Sequence, residues 1–232
     1  PMTSRESVRC ALSHREPDRV PIDFGGHRSS GIAAIAYARL KQALGISSGN
    51  IYVYDMVQQL AIVEPAVLDA FGVDVVELVR GFMLDDADWQ DWALPNGVPC
   101  KIPRFIHVKS RAGDSFLHSD DGVELAVLRK GCLYFEQTHW PWQDRNPEEQ
   151  DFSDLGEASR HSMWTAIPSP GGHIPLTNEG CRALADGARK LRASTDRAIL
   201  GLFGGNLFEV PQFLYRMDNY LLHMGLYPEA CE

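Results

Sequence analysis

Residues 3–26, TSRESVRCALSHREPDRVPIDFGG, carry the pattern from which the architecture follows: a predicted helix, a charged loop, a predicted strand and two glycines. Thr3 and Glu6 have the spacing of a capping box, and apolar residues follow at helical intervals. The segment 19–24, RVPIDF, predicts a buried strand that ends at the glycine pair. Ligands bind beyond the carboxyl ends of strands in parallel α/β folds, so we expect function just after this strand.

Helical and strand patterns alternate along much of the remaining chain. Apolar spacing predicts helices over 32–44, 65–72, 177–191 and 206–221, and strands over 51–54, 73–79 and 198–203. Gly45 follows the first of these helices as a predicted C-terminal cap, and Pro65 is suited to begin the second. This alternation favours an α/β fold.

Between residues 84 and 142 the apolar pattern changes from helical to alternating. Turn signals lie at Asn96-Gly97 and Asp121-Gly122, so the segment predicts an antiparallel β-meander inserted into the α/β frame. Its aromatic residues favour a packing face of that sheet over a ligand site. They are Trp89, Trp92, Tyr134, Phe135, Trp140 and Trp142.

Composition excludes several classes of protein. The 232 residues are 44% hydrophobic, enough to bury a substantial core, and the formal net charge of −9 argues against a nucleic-acid partner. No run approaches the roughly 20 apolar residues of a membrane helix, and we expect a cytoplasmic protein without membrane contact. The cysteines form no C-x-x-C pair, which favours reduced thiols.

His27 and Arg28 follow the first glycine pair and are predicted to bind substrate. A cation pair at the carboxyl end of a strand suits a substrate carboxylate, and arginine can make a bidentate contact. The alternative is a pair at a helix start that faces solvent. The glycines match no dinucleotide or P-loop motif, so a tight turn is favoured over a phosphate site.

Asp55 is the predicted catalytic residue, and Gln59 is predicted to contact substrate. Asp55 follows the predicted strand 51–54, where a carboxylate is placed to act as a general base or to stabilise a developing cation. The alternative role for Asp55 is helix capping.

Asn206 and Glu209 form a third predicted substrate-binding group, after the strand 198–203. Asn206 either caps the following helix or presents its amide to substrate. The eight histidines form no H-E-x-x-H or H-x-C motif, so we predict no metal ligands in this chain.

Three stretches resemble the uroporphyrinogen decarboxylase superfamily, which also contains the methyltransferases that take methyl groups from corrinoid proteins. They are SHREPDRVPIDFGG (13–26), YDMVQQLAIVEPAVLDAFGVDVVEL (54–78) and GLFGGNLFEVPQFLYRMDNYLLHM (201–224). The resemblance implies a (β/α)8 TIM barrel, which takes about 250 residues even without an insertion. We therefore expect an incomplete barrel, the N-terminal part of a longer protein, with a compact open α/β protein as the alternative.

The expected organisation follows from the barrel and the meander. Residues 1–83 hold the N-terminal helix and first βα units, residues 84–142 the meander, and residues 143–232 further βα units without the C-terminal strands. The zinc-binding His-x-Cys pair and later cysteine of the superfamily's thiol-activating methyltransferases would lie beyond this chain.

The resemblance favours methyl transfer between a small methylated substrate or thiol and a corrinoid held by a partner protein. Decarboxylases of this superfamily are similar in carrying an arginine-rich R-Q-A-G-R signature after the first strand, whereas the segment 25–31 here offers only Arg28. One alternative is decarboxylation of uroporphyrinogen or another carboxylate, with Arg28 as anion clamp and Asp55 as electrostatic stabiliser. Another is a non-catalytic binding protein with a barrel fold. The oligomeric state stays open.

Overall fold

The computed structural model describes residues 1–78, 85–167, 177–201 and 206–231. The chain divides into two compact units, residues 1–104 with 169–203 and residues 105–168 with 204–232. Helices and small sheets occur together, so the α/β class expected from the alternation is confirmed. Across the described ranges the strands form four small sheets, and none of these closes into a barrel.

The elements follow the chain in a mixed order. The helices are α1 (Ser4–Leu12), α2 (Ala34–Ala43), α3 (Pro65–Ala70), α4 (Leu155–Arg160), α5 (Met163–Ala166), α6 (Asn178–Ser194), α7 (Glu209–Tyr215), α8 (Met217–Leu226) and α9 (Pro228–Cys231). The strands are β1 (Val53–Asp55), β2 (Leu60–Ala61), β3 (Val75–Glu77), β4 (Trp89–Ala93), β5 (Pro99–Pro103), β6 (His107–Arg111), β7 (Asp114–His118), β8 (Glu124–Leu128), β9 (Glu136–Gln137) and β10 (Ala198–Leu200).

Local sequence signals fix the ends of several helices in the first unit. Thr3 Oγ1 accepts a hydrogen bond from the Glu6 amide, and the Glu6 carboxylate accepts one from the Thr3 amide, so the predicted capping box is confirmed. Gly45 has a φ of +69° just after α2, and Pro65 is the first residue of α3. The Thr177 side chain caps α6. The Thr3 and Thr177 side chains satisfy backbone amides that the first turns of α1 and α6 leave open, whereas Gly45 and Pro65 act through their backbone conformation.

The predicted strand over residues 19–24 is wrong. The segment runs beside the start of β3, where the Ile22 carbonyl accepts a hydrogen bond from the Asp74 amide at 2.8 Å. The Asp74 carboxylate accepts a hydrogen bond from the Ile22 amide at 2.8 Å and also binds the Arg19 guanidinium. Pro21 has no amide hydrogen to donate. A side chain thus takes the place of the strand ladder that the apolar pattern predicted.

Parallel pairing joins two strands of the first unit. Strand β3 pairs with β10 in the register Val75↔Ala198 and Glu77↔Leu200. The predicted strands over 73–79 and 198–203 are confirmed in their described central residues. Their outer ends at residues 79 and 202–203 lie outside the described residues, as does the glycine pair 204–205.

Antiparallel strands fill most of the segment where a meander was predicted. Strands β4 and β5 pair with each other in the first unit, and β6, β7, β8 and β9 form a consecutive sheet in the second. The division between the compact units falls at residues 104–105, inside this segment, whereas the sequence suggested divisions at 84 and 142.

Aromatic residues from this segment pack in apolar clusters. Trp89 is 3% exposed and packs with Tyr54 and Leu60 in the first unit. Trp142 is 2% exposed in the second unit, in a cluster with Ala158, Leu214, Tyr215 and Tyr220. The packing role expected of the aromatic residues is confirmed for these two tryptophans.

The single helix predicted over residues 206–221 is wrong. The structure has α7 and α8 there, separated at Arg216, whose φ is +74°. A left-handed backbone cannot continue a right-handed helix. The Arg216 guanidinium binds the Asp218 carboxylate at 2.5 Å and 2.6 Å, which holds the break in place.

Across the described ranges no helix has the length and apolar content that crossing a membrane requires. The five cysteines are free thiols. Burial raises the pKa of the Cys100 thiol to about 12, and the Leu94 backbone only partly opposes that rise. A thiol with so high a pKa forms little thiolate near neutral pH, so Cys100 packs as a small apolar residue.

Candidate functional site

An ion pair in the first unit joins two of the predicted site residues. Asp55 is the last residue of β1, and its Oδ2 lies 3.5 Å from Nε of Arg28. The Asp55 side chain is 4% exposed and the Arg28 side chain 28% exposed. A distance of 3.5 Å is beyond the usual range for a hydrogen bond, so the contact is mainly a charge interaction. The pair therefore sets a partly exposed guanidinium at the carboxyl end of a buried strand.

Asp55 also organises the turn between β1 and β2. Its Oδ1 accepts the Gln58 amide at 2.9 Å, and its Oδ2 accepts Gln58 Nε2 at 3.2 Å. An aspartate that accepts hydrogen bonds from residues just ahead of it stabilises a turn. The helix cap considered as an alternative is replaced here by a turn cap, which leaves the carboxylate with a structural role of its own.

Gln59 lies inside the first unit. Gln59 is 2% exposed. Its backbone carbonyl accepts a hydrogen bond from the Ala34 amide, at the start of α2, at 2.8 Å. Its φ is +51°, in the left-handed region that non-glycine residues seldom adopt. A backbone conformation of this kind is kept only where the surrounding structure enforces it, and such strained residues are frequent near functional sites. The turn after Asp55 is therefore tightly determined.

His27 begins a single turn of 3-10 helix, Arg28–Ser30. Its Nδ1 accepts the Ser29 amide at 3.0 Å, so the proton of the neutral ring is on Nε2. The predicted location at a helix start is confirmed, although the helix is one turn long. The backbone conformation that this cap stabilises also carries Arg28 toward Asp55.

The glycine pair before His27 forms a tight turn. The Gly25 amide donates to the Ser30 carbonyl at 2.9 Å, and the Gly26 amide donates to Asp23 Oδ1 at 2.8 Å. A Cβ on Gly26 would lie 2.5 Å from that oxygen and 2.6 Å from Val75 Cγ1, so a side chain does not fit. Both amides are occupied by protein acceptors, which agrees with the turn interpretation.

Two residues of this turn escaped the sequence analysis. Asp23 accepts the Gly26 amide and, on its other oxygen, the Ser30 hydroxyl at 2.8 Å. The signal was present as an aspartate three residues before a glycine, a spacing typical of an Asx-type turn. Asp23 and Ser30 therefore brace the segment that carries His27 and Arg28.

Asn206 and Glu209 belong to the second unit, and both are exposed. The Asn206 carbonyl accepts the Val210 amide at 2.9 Å, but the residue that caps α7 is Phe208, without a side-chain hydrogen bond. The capping role considered for Asn206 is therefore wrong. Glu209 is the first residue of α7, where a negative charge complements the helix dipole.

The described residues contain no group of three His, Cys, Asp or Glu side chains arranged to hold a metal ion. The charged part of the candidate site consists of Arg28 and Asp55.

Comparison with known protein families, with curated proteins and with solved structures found no match to this chain. The functional argument consequently depends on the geometry around Arg28 and Asp55 and on the resemblance of the three sequence stretches.

Proposed function

We propose that this chain is part of an enzyme of the uroporphyrinogen decarboxylase type with a (β/α)8-barrel architecture. Its reaction is methyl transfer between a small methylated substrate or thiol and a corrinoid. The observation that carries the proposal is the Arg28–Asp55 pair, which lies at the carboxyl end of β1 beside a braced glycine turn. Barrel enzymes bind their substrates beyond the carboxyl ends of parallel strands, whereas β1 pairs antiparallel with β2, so the resemblance supports this location and the sheet does not.

Arg28 is the proposed substrate-binding residue. Its side chain is partly exposed while its charge is held by a nearly buried carboxylate, so little conformational freedom remains to be lost when an anionic substrate group binds. A planar guanidinium also matches a carboxylate or phosphate with two parallel hydrogen bonds. His27, whose Nε2 carries the ring proton, is a second proposed donor on the same short turn.

Asp55 has two candidate roles, that of a general base on the substrate and that of a residue that positions Arg28. Its oxygens accept from Gln58 and face the Arg28 guanidinium, which favours positioning. The same contacts weaken the decarboxylase alternative, because an aspartate that already neutralises an arginine stabilises a new positive charge less well. That alternative keeps one favourable observation, the suitability of Arg28 for a carboxylate.

The corrinoid and zinc enter the proposal through the resemblance alone. A bound corrinoid supplies the cobalt chemistry of methyl transfer, while the protein binds and orients the second reactant. The proposal assigns the corrinoid to a partner protein and zinc to residues outside this sequence. Asn206 and Glu209 remain proposed substrate contacts.

The proposal is tested by supplying the full-length protein with methylcobalamin, zinc and a panel of small thiols that carry an anionic group. We expect loss of the methylcobalamin absorbance together with formation of the methyl thioether. Arg28→Gln should raise the KM for the anionic thiol at least about tenfold, because a charge-assisted hydrogen bond is lost. Arg182→Gln, at an exposed arginine of α6, is the matched control and should leave KM unchanged.

A parallel reaction with uroporphyrinogen decides between the two enzymatic candidates. Efficient formation of coproporphyrinogen would replace methyl transfer by decarboxylation. Inactivity in both assays would contradict an enzymatic role for the protein.

A further inference from the structure

A second candidate binding site lies in the first unit, in an open cleft of about 760 Å³. Its walls are one face of α2, the loop over residues 45–51 and the turn over residues 96–99 that joins β4 to β5. Neither Arg28 nor Asp55 lines it. Its volume is in the range of clefts that bind small organic molecules.

The lining of this cleft differs in charge from the chain as a whole. The chain has 31 acidic residues against 22 lysines and arginines. The lining residues, which all belong to the described part of the chain, include Arg39 and Lys41 but no aspartate or glutamate. Gln42, Asn50 and Asn96 add side-chain amides. An acidic protein thus presents a locally cationic, hydrogen-bonding concavity.

Lys41 holds the base of the cleft. Its side chain is 7% exposed, its ammonium donates to the Ser48 carbonyl at 2.7 Å, and it forms an ion pair with Glu64. The Tyr37 hydroxyl also donates to Glu64, at 3.0 Å. Because Glu64 offsets the lysine charge, the main effect of Lys41 is to fix the loop that follows α2.

Arg39 supplies the uncompensated charge. It is exposed, and within the described residues its guanidinium makes no ion pair and no side-chain hydrogen bond. Gln42 follows three residues later, so both side chains emerge from one face of α2. Apolar residues complete the lining, among them Ile35, Ile46 and Val98. The cleft therefore places a cationic guanidinium beside an apolar wall.

We propose that this cleft binds a small organic anion. The carboxylate or phosphate group of the ligand binds the Arg39 guanidinium, the amides of Gln42 and Asn50 add hydrogen bonds, and the apolar body packs on the isoleucines and Val98. This site is independent of the Arg28–Asp55 pair and of the proposed methyl transfer.

Calorimetric titration of the full chain with benzoate, phenyl phosphate and benzyl alcohol tests the proposal. The first two probes combine an apolar ring with a carboxylate or a phosphate, and the third is their neutral counterpart. We expect both anions to bind, with an affinity that added salt weakens, and no comparable binding of the alcohol. Tighter binding of benzoate would identify the natural ligand as a carboxylate, and tighter binding of phenyl phosphate would identify it as a phosphate.

Two variants locate the binding. Arg39→Gln should weaken anion binding at least about tenfold, since it removes a charge-assisted hydrogen bond. Arg182→Gln, at an exposed arginine of α6, should leave the affinity unchanged. The proposal is overturned if benzyl alcohol binds as well as the anions, if Arg39→Gln has no effect, or if Arg182→Gln weakens binding equally. Arg39 is exposed, so its replacement leaves the fold intact.

Discussion

Asp74 and Asp55 are buried carboxylates of the first unit, and each pairs with an arginine in a different way. Asp74 is fully buried, and its carboxylate accepts hydrogen bonds from both terminal nitrogens of Arg19, at 2.5 Å and 2.7 Å, and from the Ile22 amide. Asp55 is nearly buried and has Arg28 at 3.5 Å. The first pair replaces a strand ladder, whereas the second leaves its arginine in looser contact.

This contrast separates a structural pair from a candidate binding pair. A short bidentate contact commits the in-plane N–H donors at the end of the Arg19 guanidinium to the protein's own carboxylate. A contact at 3.5 Å retains most of the charge attraction, because Coulomb energy falls only as the inverse of distance, but it lacks directed hydrogen bonds. The contact with Asp55 therefore engages the hydrogen-bond donors of Arg28 less fully than Asp74 engages those of Arg19.

The largest effect is expected for Asp74→Asn. An amide oxygen in the place of Oδ2 still accepts from Ile22 and from Nη1 of Arg19, but the NH2 group in the place of Oδ1 faces the Nη2 donor of Arg19, and the charge that pairs with the guanidinium is lost. We expect the free energy of unfolding to fall by about 3 kcal/mol, measured by urea denaturation. Asp91→Asn is the matched control. Asp91 is 91% exposed and pairs with Lys101 at the surface, so its replacement should have little effect. Equal losses in the two variants would contradict the anchoring role of Asp74.

A smaller loss is expected for Asp55→Asn, about 1 kcal/mol. Asparagine still accepts the Gln58 amide through Oδ1, so the turn after β1 survives. Arg28 reaches water when its partner loses charge, because its side chain is 28% exposed. A loss in urea denaturation as large as that of Asp74→Asn would remove the distinction between the pairs.

The sequence was informative where the determinants are local. The capping box at Thr3, the proline that starts α3 and the glycine after α2 each act within one turn of helix, so their residue types predict their positions. The Arg19–Asp74 pair joins residues 55 positions apart, and no periodicity reveals it. The failed strand over residues 19–24 follows from that same contact.

The candidate site shows the same limit. Sequence analysis singled out Arg28 and Asp55 separately, because each follows a predicted strand, but their pairing across the intervening chain depends on the tertiary fold. Asp23 was missed because the apolar pattern of residues 19–24 was interpreted as a strand, although its spacing to Gly26 is typical of a turn; its contact with Ser30 depends on the backbone path. Local pattern singled out the two residues, and tertiary structure supplied the contact between them.

Acidification provides a third test of the comparison. Burial favours the neutral form of Asp74, but the hydrogen bonds from Ile22 and Arg19 outweigh it, so its pKa is lowered from 3.8. The resulting stabilisation is present above the ordinary carboxyl pKa and is lost as pH falls through the lowered value. Wild-type protein should therefore lose stability below about pH 4, measured by urea denaturation from pH 6 to pH 3. Asp74→Asn should lose less over that range, and an identical pH profile would contradict the assignment.

The smallest effect is expected for Arg28→Lys, and it divides the two pairs most directly. Lysine keeps the positive charge but lacks the planar fork of arginine. At Arg19 this change removes one of two directed hydrogen bonds to Asp74, so Arg19→Lys should lower the free energy of unfolding by about 1 kcal/mol. The contact of Arg28 with Asp55 is mainly a charge interaction, which lysine keeps, so the loss should stay below about 0.5 kcal/mol. Equal losses in urea denaturation would mean that Asp55 engages the donors of Arg28 as fully as Asp74 engages those of Arg19. In that case the guanidinium would be committed to the protein's own carboxylate, and the substrate-binding role proposed for it would lose its physical basis.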